Sequence, residues 1–206
     1  MSKVFLRNKD VEKTAFMNWR MSKFNNIENL LALAEGYMES ALELVNKCLD
    51  NNDDKKADGL IFPILFNTNH GIELYLKSIL WSLNLAYNTG YKLEKGHNIK
   101  QLYETVVSRI NTHQGVDSRK NFVDYTAQLK EYIDETFSVN NSTPKDNKLD
   151  FPRYPISNKY DNHFYVGSTE NIVVNLENLR NVITEIHETL NDRTLYFYYQ
   201  ILRQEY

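Results

Sequence analysis

The chain has 206 residues, 42% of them hydrophobic, which predicts one globular domain with a sizeable core. Glycine and proline number only 7 and 4, against 14 tyrosines and 10 phenylalanines, and this composition favours long helices with few turns. With a net charge of −3, the chain has no overall positive charge that would attract nucleic acid non-specifically. The single Cys48 excludes an internal disulfide and a cysteine-based zinc site.

The first residues mix both signs of charge with aromatic side chains. We interpret residues 1–24 as an N-terminal arm or a short helix that packs on the body. The charge pattern is not that of a signal peptide, and no run approaches the ~18 apolar residues of a membrane span. A single cysteine also suits a reducing compartment. We therefore expect a cytoplasmic protein without a membrane partner.

Apolar residues recurring at steps of three and four predict the first two long helices. The first runs from Asn25 to about Asp50, and its stripe includes Cys48, which we read as a small core residue. The second runs from near Leu60 to about Leu85. It is apolar around most of its circumference, which is typical of the central helix of a bundle.

Three polar side chains interrupt this second helix along one narrow face. His70, Glu73 and Lys77 stand at i, i+3 and i+7, and Glu73 and Lys77 have the favoured order for an ion pair. The pattern suits either a solvated strip with one salt bridge or a ligand site, and we expect the solvated strip. His97, just before the next helix, is expected to make a local hydrogen bond rather than to bind a ligand.

Two further helices are predicted, from Asn98 to about Asn111 and from about Arg119 to Phe137. Asn98 is a good N-cap, with Gln101 three residues later as in a capping box.

An insertion at residues 138–168 then breaks the helical rhythm and holds three of the four prolines. Its aromatic and β-branched residues favour a short β-hairpin packed on the body. Long irregular segments in compact domains are often functional loops. Arg153 is suited to contact a phosphate and Tyr154 to stack on a base. Alternatively, these residues merely fasten the insertion to the bundle.

The motif helix is predicted from Thr169 to Leu190, capped by Ser168 or Thr169. Its stripe comprises Ile172, Leu176, Leu179, Ile183, Ile186 and Leu190. A last helix is predicted from Leu195 to Leu202.

Arg180, Asn181 and His187 flank the stripe of the motif helix. Seven residues make almost two turns, so Arg180 and His187 leave from nearly the same face, with Cα atoms about 10.5 Å apart. A guanidinium, an amide and an imidazole at the border of core and solvent can handle a phosphate group. The alternative is three polar residues where a helix meets water. At such a border, truncating either residue is expected to cost no more than about 0.5 kcal/mol of stability.

The sequence lacks the residues that other kinds of catalytic or binding site require. A di-iron or di-manganese bundle needs two Glu-x-x-His pairs and two further glutamates, and the chain offers one inverted pair, His70 and Glu73. No nucleophile motif marks a hydrolase, and no glycine-rich loop marks a nucleotide-phosphate site. We therefore expect neither a metal site nor a cofactor.

Arg180, six intervening residues and His187 resemble the signature of the HEPN superfamily, at the long end of its spacing. The run Asn69-His-Gly-Ile-Glu-Leu-Tyr-Leu-Lys77 is similar to the family's second core helix, and Gly96-His-Asn-Ile-Lys-Gln-Leu102 is similar to its Gly-His-x-hydrophobic-x-x-Leu helix start. The resemblance covers residues 30–190 in the expected order. The insertion is not part of the minimal family pattern.

The resemblance implies a single domain over residues 1–206, built as an all-α bundle of four to five core helices. It also implies a homodimer in which Arg180 and His187 of both subunits face a shared cleft. Active members are metal-independent endoribonucleases of toxin–antitoxin and antiphage systems. In that role His187 moves a proton, Arg180 holds the scissile phosphate, and Asn181 orients the phosphate or the imidazole. Attack by the 2′-hydroxyl confines the activity to RNA and excludes DNA.

Two hypotheses follow. The first is an endoribonuclease of toxin or defence type, with an antitoxin or a nucleotidyltransferase as a possible partner. The second is a non-catalytic HEPN-like module that binds a nucleotide or a partner protein, as inactive members of the family do. The mild acidity of the chain slightly favours the second, and the presence of all three motif residues favours the first more strongly, so we expect the ribonuclease.

Overall fold

In a computed structural model, the chain is described over residues 4–90, 93–139, 151–157 and 159–202. Within these ranges the protein is all-α, and it contains no strand. A 3₁₀ turn at Val11–Lys13 precedes five helices, and π-helical turns at Tyr196–Leu202 follow them. The helices are α1 (Asn26–Asp50), α2 (Ala57–Ala86), α3 (Ile99–Tyr125), α4 (Ala127–Val139) and α5 (Leu176–Leu195). The predicted helical bundle is confirmed.

Helix α2 lies at the centre of the bundle, and all its residues from Gly71 to Leu80 are buried. It packs along α1 and also contacts α3 and α5. The two helices approach closely at Gly71, where an added Cβ would lie 2.7 Å from the Met38 side chain and 3.3 Å from the Ala34 carbonyl oxygen. The central position predicted from its apolar circumference is therefore confirmed.

Asparagine side chains cap the N-termini of α1 and α3. Asn25 accepts from the backbone N–H groups of Ile27 and Glu28, and Asn98 accepts from that of Gln101 at 3.1 Å. The N-cap predicted at Asn98 is confirmed. The predicted gap between the third and fourth helices is reduced to a kink inside α3 at Gly115, whose φ of 88° is outside the helical region. The helix is then interrupted at Thr126, between α3 and α4.

The predicted start of the motif helix at Thr169 is wrong. Helix α5 begins at Leu176, and Asn175 rather than Ser168 or Thr169 caps it, by accepting from the N–H of Asn178 at 3.1 Å. The preceding Ile-Val-Val run is β-branched, which disfavours a helix, and its side chains are exposed. Ile172 therefore does not begin the buried stripe.

The predicted break after Leu190 is also wrong. Helix α5 continues to Leu195 and passes directly into the π-helical turns. Thr194 and Phe197 are buried, so the same face stays in the core beyond Leu190. The connecting Asn-Asp-Arg run contains neither glycine nor proline, and nothing in it stops a helix whose face is still covered.

The described part of the insertion packs through aromatic residues rather than as a hairpin. Its residues form one isolated antiparallel bridge, between Ile156 and Asn162, and no strand. The Tyr165 hydroxyl donates to the carbonyls of Phe151 and Tyr154, at 2.9 and 3.1 Å. Its ring lies 5.0 Å from that of Phe62 on α2. Residues 140–150 lie outside the described ranges.

None of the helices that the structure describes is both long enough and apolar enough to cross a bilayer.

Candidate functional site

His187 on α5 is hydrogen-bonded to a buried tyrosine of the central helix. The Tyr75 hydroxyl lies 3.0 Å from Nδ1 of His187, and the ring centroids are 5.9 Å apart. Tyr75 is fully buried, whereas His187 is half-buried. In the sequence, Tyr75 is one of the residues that make the second helix apolar around most of its circumference. The feature that could have singled it out is its hydroxyl, because a hydroxyl buried in a largely apolar helix requires a hydrogen-bond partner.

Burial sets the protonation of both groups. It raises the pKa of Tyr75, with the carboxylates of Glu35 and Glu39 adding to the rise, so the phenol keeps its proton at neutral pH. Burial also lowers the pKa of His187, and the carboxylates of Glu39, Glu35 and Glu188 only partly oppose this effect. A neutral imidazole beside a neutral phenol is therefore favoured near pH 7.

The bond to Tyr75 occupies one of the two ring nitrogens of His187. A phenol that keeps its proton can donate to a bare Nδ1 or accept from a protonated one. Nε2 is therefore the nitrogen left for proton transfer in either state. This arrangement orients the ring as a buried partner orients the imidazole in many acid–base sites.

Arg180 and Asn181 are brought together at the other end of the motif. The Arg180 guanidinium donates through Nε and Nη2 to Oδ1 of Asn181, at 3.3 and 3.1 Å. Asn181 is exposed and Arg180 is partly exposed. No hydrogen bond joins Arg180 to His187 in the part of the chain that the structure describes. The motif thus forms two subsites on one helix, separated by almost two turns.

A groove of about 500 Å³ opens beside Asn181. The insertion contributes Phe151 and Phe164 to its wall, and the segment before α5 contributes the exposed residues Ile172 to Val174. Most of the lining is apolar, which suits an aromatic or aliphatic group better than a phosphate. The insertion therefore borders the Asn181 end of the motif.

Arg153 and Tyr154 do not line this groove. The Arg153 guanidinium lies 5.5 Å from the ring centroid of Phe66 on α2 and 5.2 Å from that of Tyr154. Both residues are exposed. Among the described residues, no hydrogen bond or ring contact connects them to Arg180, Asn181 or His187. The geometry agrees with fastening the insertion to α2 through cation–π contact.

Glu73 and Lys77 are buried and His70 is half-buried, which corrects the solvated strip expected from the sequence. Glu73 and Lys77 are 6% and 7% exposed, and their charged groups are 2.7 Å apart. The loop before α3 reaches the strip, where Nδ1 of His97 lies 2.9 Å from Glu73. The expected local hydrogen bond of His97 is instead a tertiary contact with α2.

Glu73 is the centre of this polar network. Burial opposes its ionisation, but hydrogen bonds from His70, Lys77 and His97 outweigh burial and lower the pKa of Glu73 to about 2. The carboxylate therefore stays charged and compensates the buried Lys77 ammonium. Glu73 lies about half a turn around α2 from Tyr75, given 100° per residue, so the network supports the loop rather than His187.

No group of three or more His, Cys, Asp or Glu side chains within the described ranges is arranged to hold a metal ion.

Comparison with known proteins finds no matching family model, no matching curated protein and no matching solved structure.

Proposed function

We propose that the chain is a metal-independent endoribonuclease of the HEPN type, acting as a toxin or in antiphage defence. The observation that carries the proposal is the bond from buried Tyr75 to Nδ1 of His187, on the same helix face as Arg180. The lowered pKa of His187 supports an imidazole that is neutral at neutral pH and ready to exchange a proton. The resemblance of the Arg-x6-His motif supplies the family.

The reaction begins when the 2′-hydroxyl of RNA attacks the adjacent phosphorus. The 2′-oxygen forms a bond to phosphorus, the bond from phosphorus to the 5′-oxygen breaks, and a 2′,3′-cyclic phosphate and a 5′-hydroxyl result. His187 takes the proton of the 2′-hydroxyl or supplies one to the leaving 5′-oxygen. Arg180 stabilises the charge on the phosphate oxygens through two parallel hydrogen bonds. Asn181 holds the guanidinium in place for this contact.

A homodimer completes this proposal, with α5 in the interface. Two copies of the motif facing one cleft supply one imidazole to accept a proton and another to donate one. A single His187 per subunit accounts for only half of that exchange. An antitoxin or nucleotidyltransferase partner would keep such a nuclease inactive until needed.

The second candidate function is a non-catalytic module that binds a nucleotide or a partner protein. The carboxylates of Glu35, Glu39 and Glu188 act on His187, and an acidic surrounding repels RNA phosphates. The apolar groove beside Asn181 offers an alternative place for a base or an apolar side chain. This function needs no proton transfer by His187.

Total RNA incubated with purified protein in EDTA tests the proposal. The wild type is expected to cleave it, and His187→Ala is expected to leave it intact. His113→Ala is the matched control, because His113 is exposed and stacks on Tyr87 away from the motif. The cleaved ends are expected to carry 2′,3′-cyclic phosphates, and RNA with 2′-methoxy groups is expected to resist. Intact RNA in all lanes contradicts the ribonuclease and favours the binding module.

A further inference from the structure

The positive charge of this chain is concentrated in its N-terminal segment. Residues 4–24, hereafter the basic arm, contain five Lys or Arg residues and two acidic residues, for a net charge of +3. Because the whole chain carries −3, the remainder carries −6. A polyanion is thus attracted by the basic arm and repelled by the body that holds His187.

Large aromatic side chains of the basic arm point into solvent. Phe5, Trp19 and Phe24 are 89%, 80% and 90% exposed. Trp19 stacks on Phe16 with ring centroids 5.0 Å apart, and the Lys23 ammonium lies 5.5 Å from the Phe24 centroid. Exposed aromatic rings beside cations are the features by which proteins hold single-stranded nucleic acid, through base stacking and phosphate contacts.

The basic arm is attached to the body at the start of α1. Ser22 and Asn29 exchange two hydrogen bonds, from the Ser22 N–H to Asn29 Oδ1 at 2.6 Å and from Asn29 Nδ2 to the Ser22 carbonyl at 2.9 Å. On the central helix, the Ser78 hydroxyl donates to the Ile27 carbonyl at the start of α1 at 3.4 Å. Tyr75, which holds His187, precedes Ser78 by three residues. At ~1.5 Å rise per residue, Tyr75 lies about 4.5 Å along α2 from Ser78, so the arm is attached near the level of His187.

We propose that the basic arm binds single-stranded RNA, with Trp19 and Phe24 stacking on bases and Lys9, Arg20 and Lys23 contacting phosphates. The choice of RNA as the polyanion rests on the proposed function. The arm supplies the electrostatic attraction that the acidic body lacks, and its attachment near the level of His187 places the bound strand within reach of the motif. Charge and stacking together favour RNA over an apolar partner, which would leave the net charge of +3 on the arm uncompensated.

A labelled oligouridylate of 20 nucleotides tests the proposal in the full-length His187→Ala protein, in which cleavage cannot interfere. The arm variant carries Lys9→Gln, Arg20→Gln and Lys23→Gln. The matched control carries Lys47→Gln, Arg119→Gln and Lys120→Gln, three exposed residues of the body, and has the same net charge. The arm variant is expected to bind at least tenfold more weakly at 50 mM salt. Its slope of log affinity against log salt is expected to fall by about 2, from ~0.7 per phosphate contact.

The aromatic contribution is tested separately. Trp19→Ala and Phe24→Ala are each expected to weaken binding about fivefold or more, from the usual stacking contribution per base. Tyr160→Ala is the control, because Tyr160 is 85% exposed and lies outside the arm. The control is expected to bind like its parent.

Three results overturn the proposal. The first is equal loss of affinity in the arm variant and its charge-matched control. The second is unchanged RNA binding with lost binding to phosphatidylserine vesicles, which assigns the arm to membranes. The third is unchanged RNA binding with a smaller particle in light scattering, which assigns it to a second copy of the chain. Because binding is measured without cleavage, a wild type that binds through the arm but cleaves nothing overturns the proposed nuclease alone.

Discussion

The hydroxyl of Tyr75 lies 3.0 Å from Nδ1 of His187, across 112 residues of sequence. The bond joins the central helix α2 to the motif helix α5 at a polar point in an apolar interface. It holds the imidazole in one orientation and leaves Nε2 for chemistry. A residue that the sequence assigned to the border of core and solvent therefore has a buried partner, and truncating it should cost more than a surface change.

Replacing Tyr75 by Phe removes this hydroxyl and keeps the ring. We expect cleavage to fall about tenfold, because His187 loses the partner that orients it, and stability to fall by about 1 kcal/mol. Single-turnover cleavage and urea unfolding measure the two effects. Tyr103→Phe is the matched control, since the Tyr103 hydroxyl is hydrogen-bonded to Thr126 at 2.9 Å in the core, outside the groove beside Asn181. It should lose similar stability and cleave normally, and equal loss of cleavage in both variants argues against a special role for Tyr75.

Replacing Glu39 by Gln alters the pH dependence of cleavage. The Glu39 carboxylate raises the pKa of His187 against the stronger effect of burial. Its removal lowers that pKa further, so the acidic limb of the pH–rate profile should move to lower pH if the neutral imidazole is the reacting form. Glu43→Gln, an exposed change on the same helix, should leave the limb in place. A shift to higher pH in Glu39→Gln contradicts the assignment of His187.

Substitutions of Arg180 separate the effect of its positive charge from that of its two-pronged hydrogen-bonding geometry. Arg180→Ala should reduce cleavage by roughly 100-fold or more, as expected for loss of a donor to a developing anion. Arg180→Lys keeps the charge but loses the two-pronged geometry, so it should recover only part of the activity. Both should unfold within about 0.5 kcal/mol of the wild type, because the guanidinium is partly exposed and hydrogen-bonds to an exposed neighbour, Asn181. Arg119→Ala serves as the control, and a fully active Arg180→Ala would remove the phosphate-binding role.

The buried network predicts an acid-dependent loss of stability. Glu73→Gln leaves the Lys77 ammonium buried without its partner, which should cost about 3–5 kcal/mol at pH 7. The pKa of Glu73 is lowered to about 2 in the folded protein, below its ordinary 4.5. Its contribution is therefore fully present above pH 4.5 and is lost as the pH falls toward 2. The difference between wild type and variant in urea unfolding should shrink from pH 7 to pH 3.5.

The exposed Glu104 on α3 provides the control for this series. Glu104→Gln should unfold like the wild type at every pH. A difference between wild type and Glu73→Gln that stays constant from pH 7 to pH 3.5 would show that the ion pair is not the source of the stability.

The proposed dimer is tested by light scattering at micromolar concentration. We expect a particle of twice the 24.3 kDa of one chain. When wild type and His187→Ala are mixed and allowed to exchange subunits, cleavage should fall more steeply than the fraction of wild-type chain, because a mixed dimer holds one imidazole in the shared cleft instead of two. A particle of one chain's mass at every concentration argues against the shared cleft.

Several features followed from sequence periodicity and local chemistry alone. Steps of three and four placed the apolar faces of α1 and α2, and the apolar circumference of α2 predicted its central position. Asn98 was predicted as an N-cap because its side chain needs only the next turn of the same helix. These features depend on neighbours within a few residues, and such neighbours are visible in the sequence.

Other features were decided only by the packing of distant segments. Glu73 and Lys77 look like a solvated pair in the sequence, but they are buried in the packed bundle, where His97 from the loop before α3 also contacts Glu73. The start of α5 was misplaced because Ile172 continues the apolar period, although the tertiary structure leaves it exposed. The partner of His187 was not predictable from α5, since periodicity shows which face of a helix is buried and not which residue of another helix meets it. Burial against α2 and α1 then sets the protonation of that imidazole.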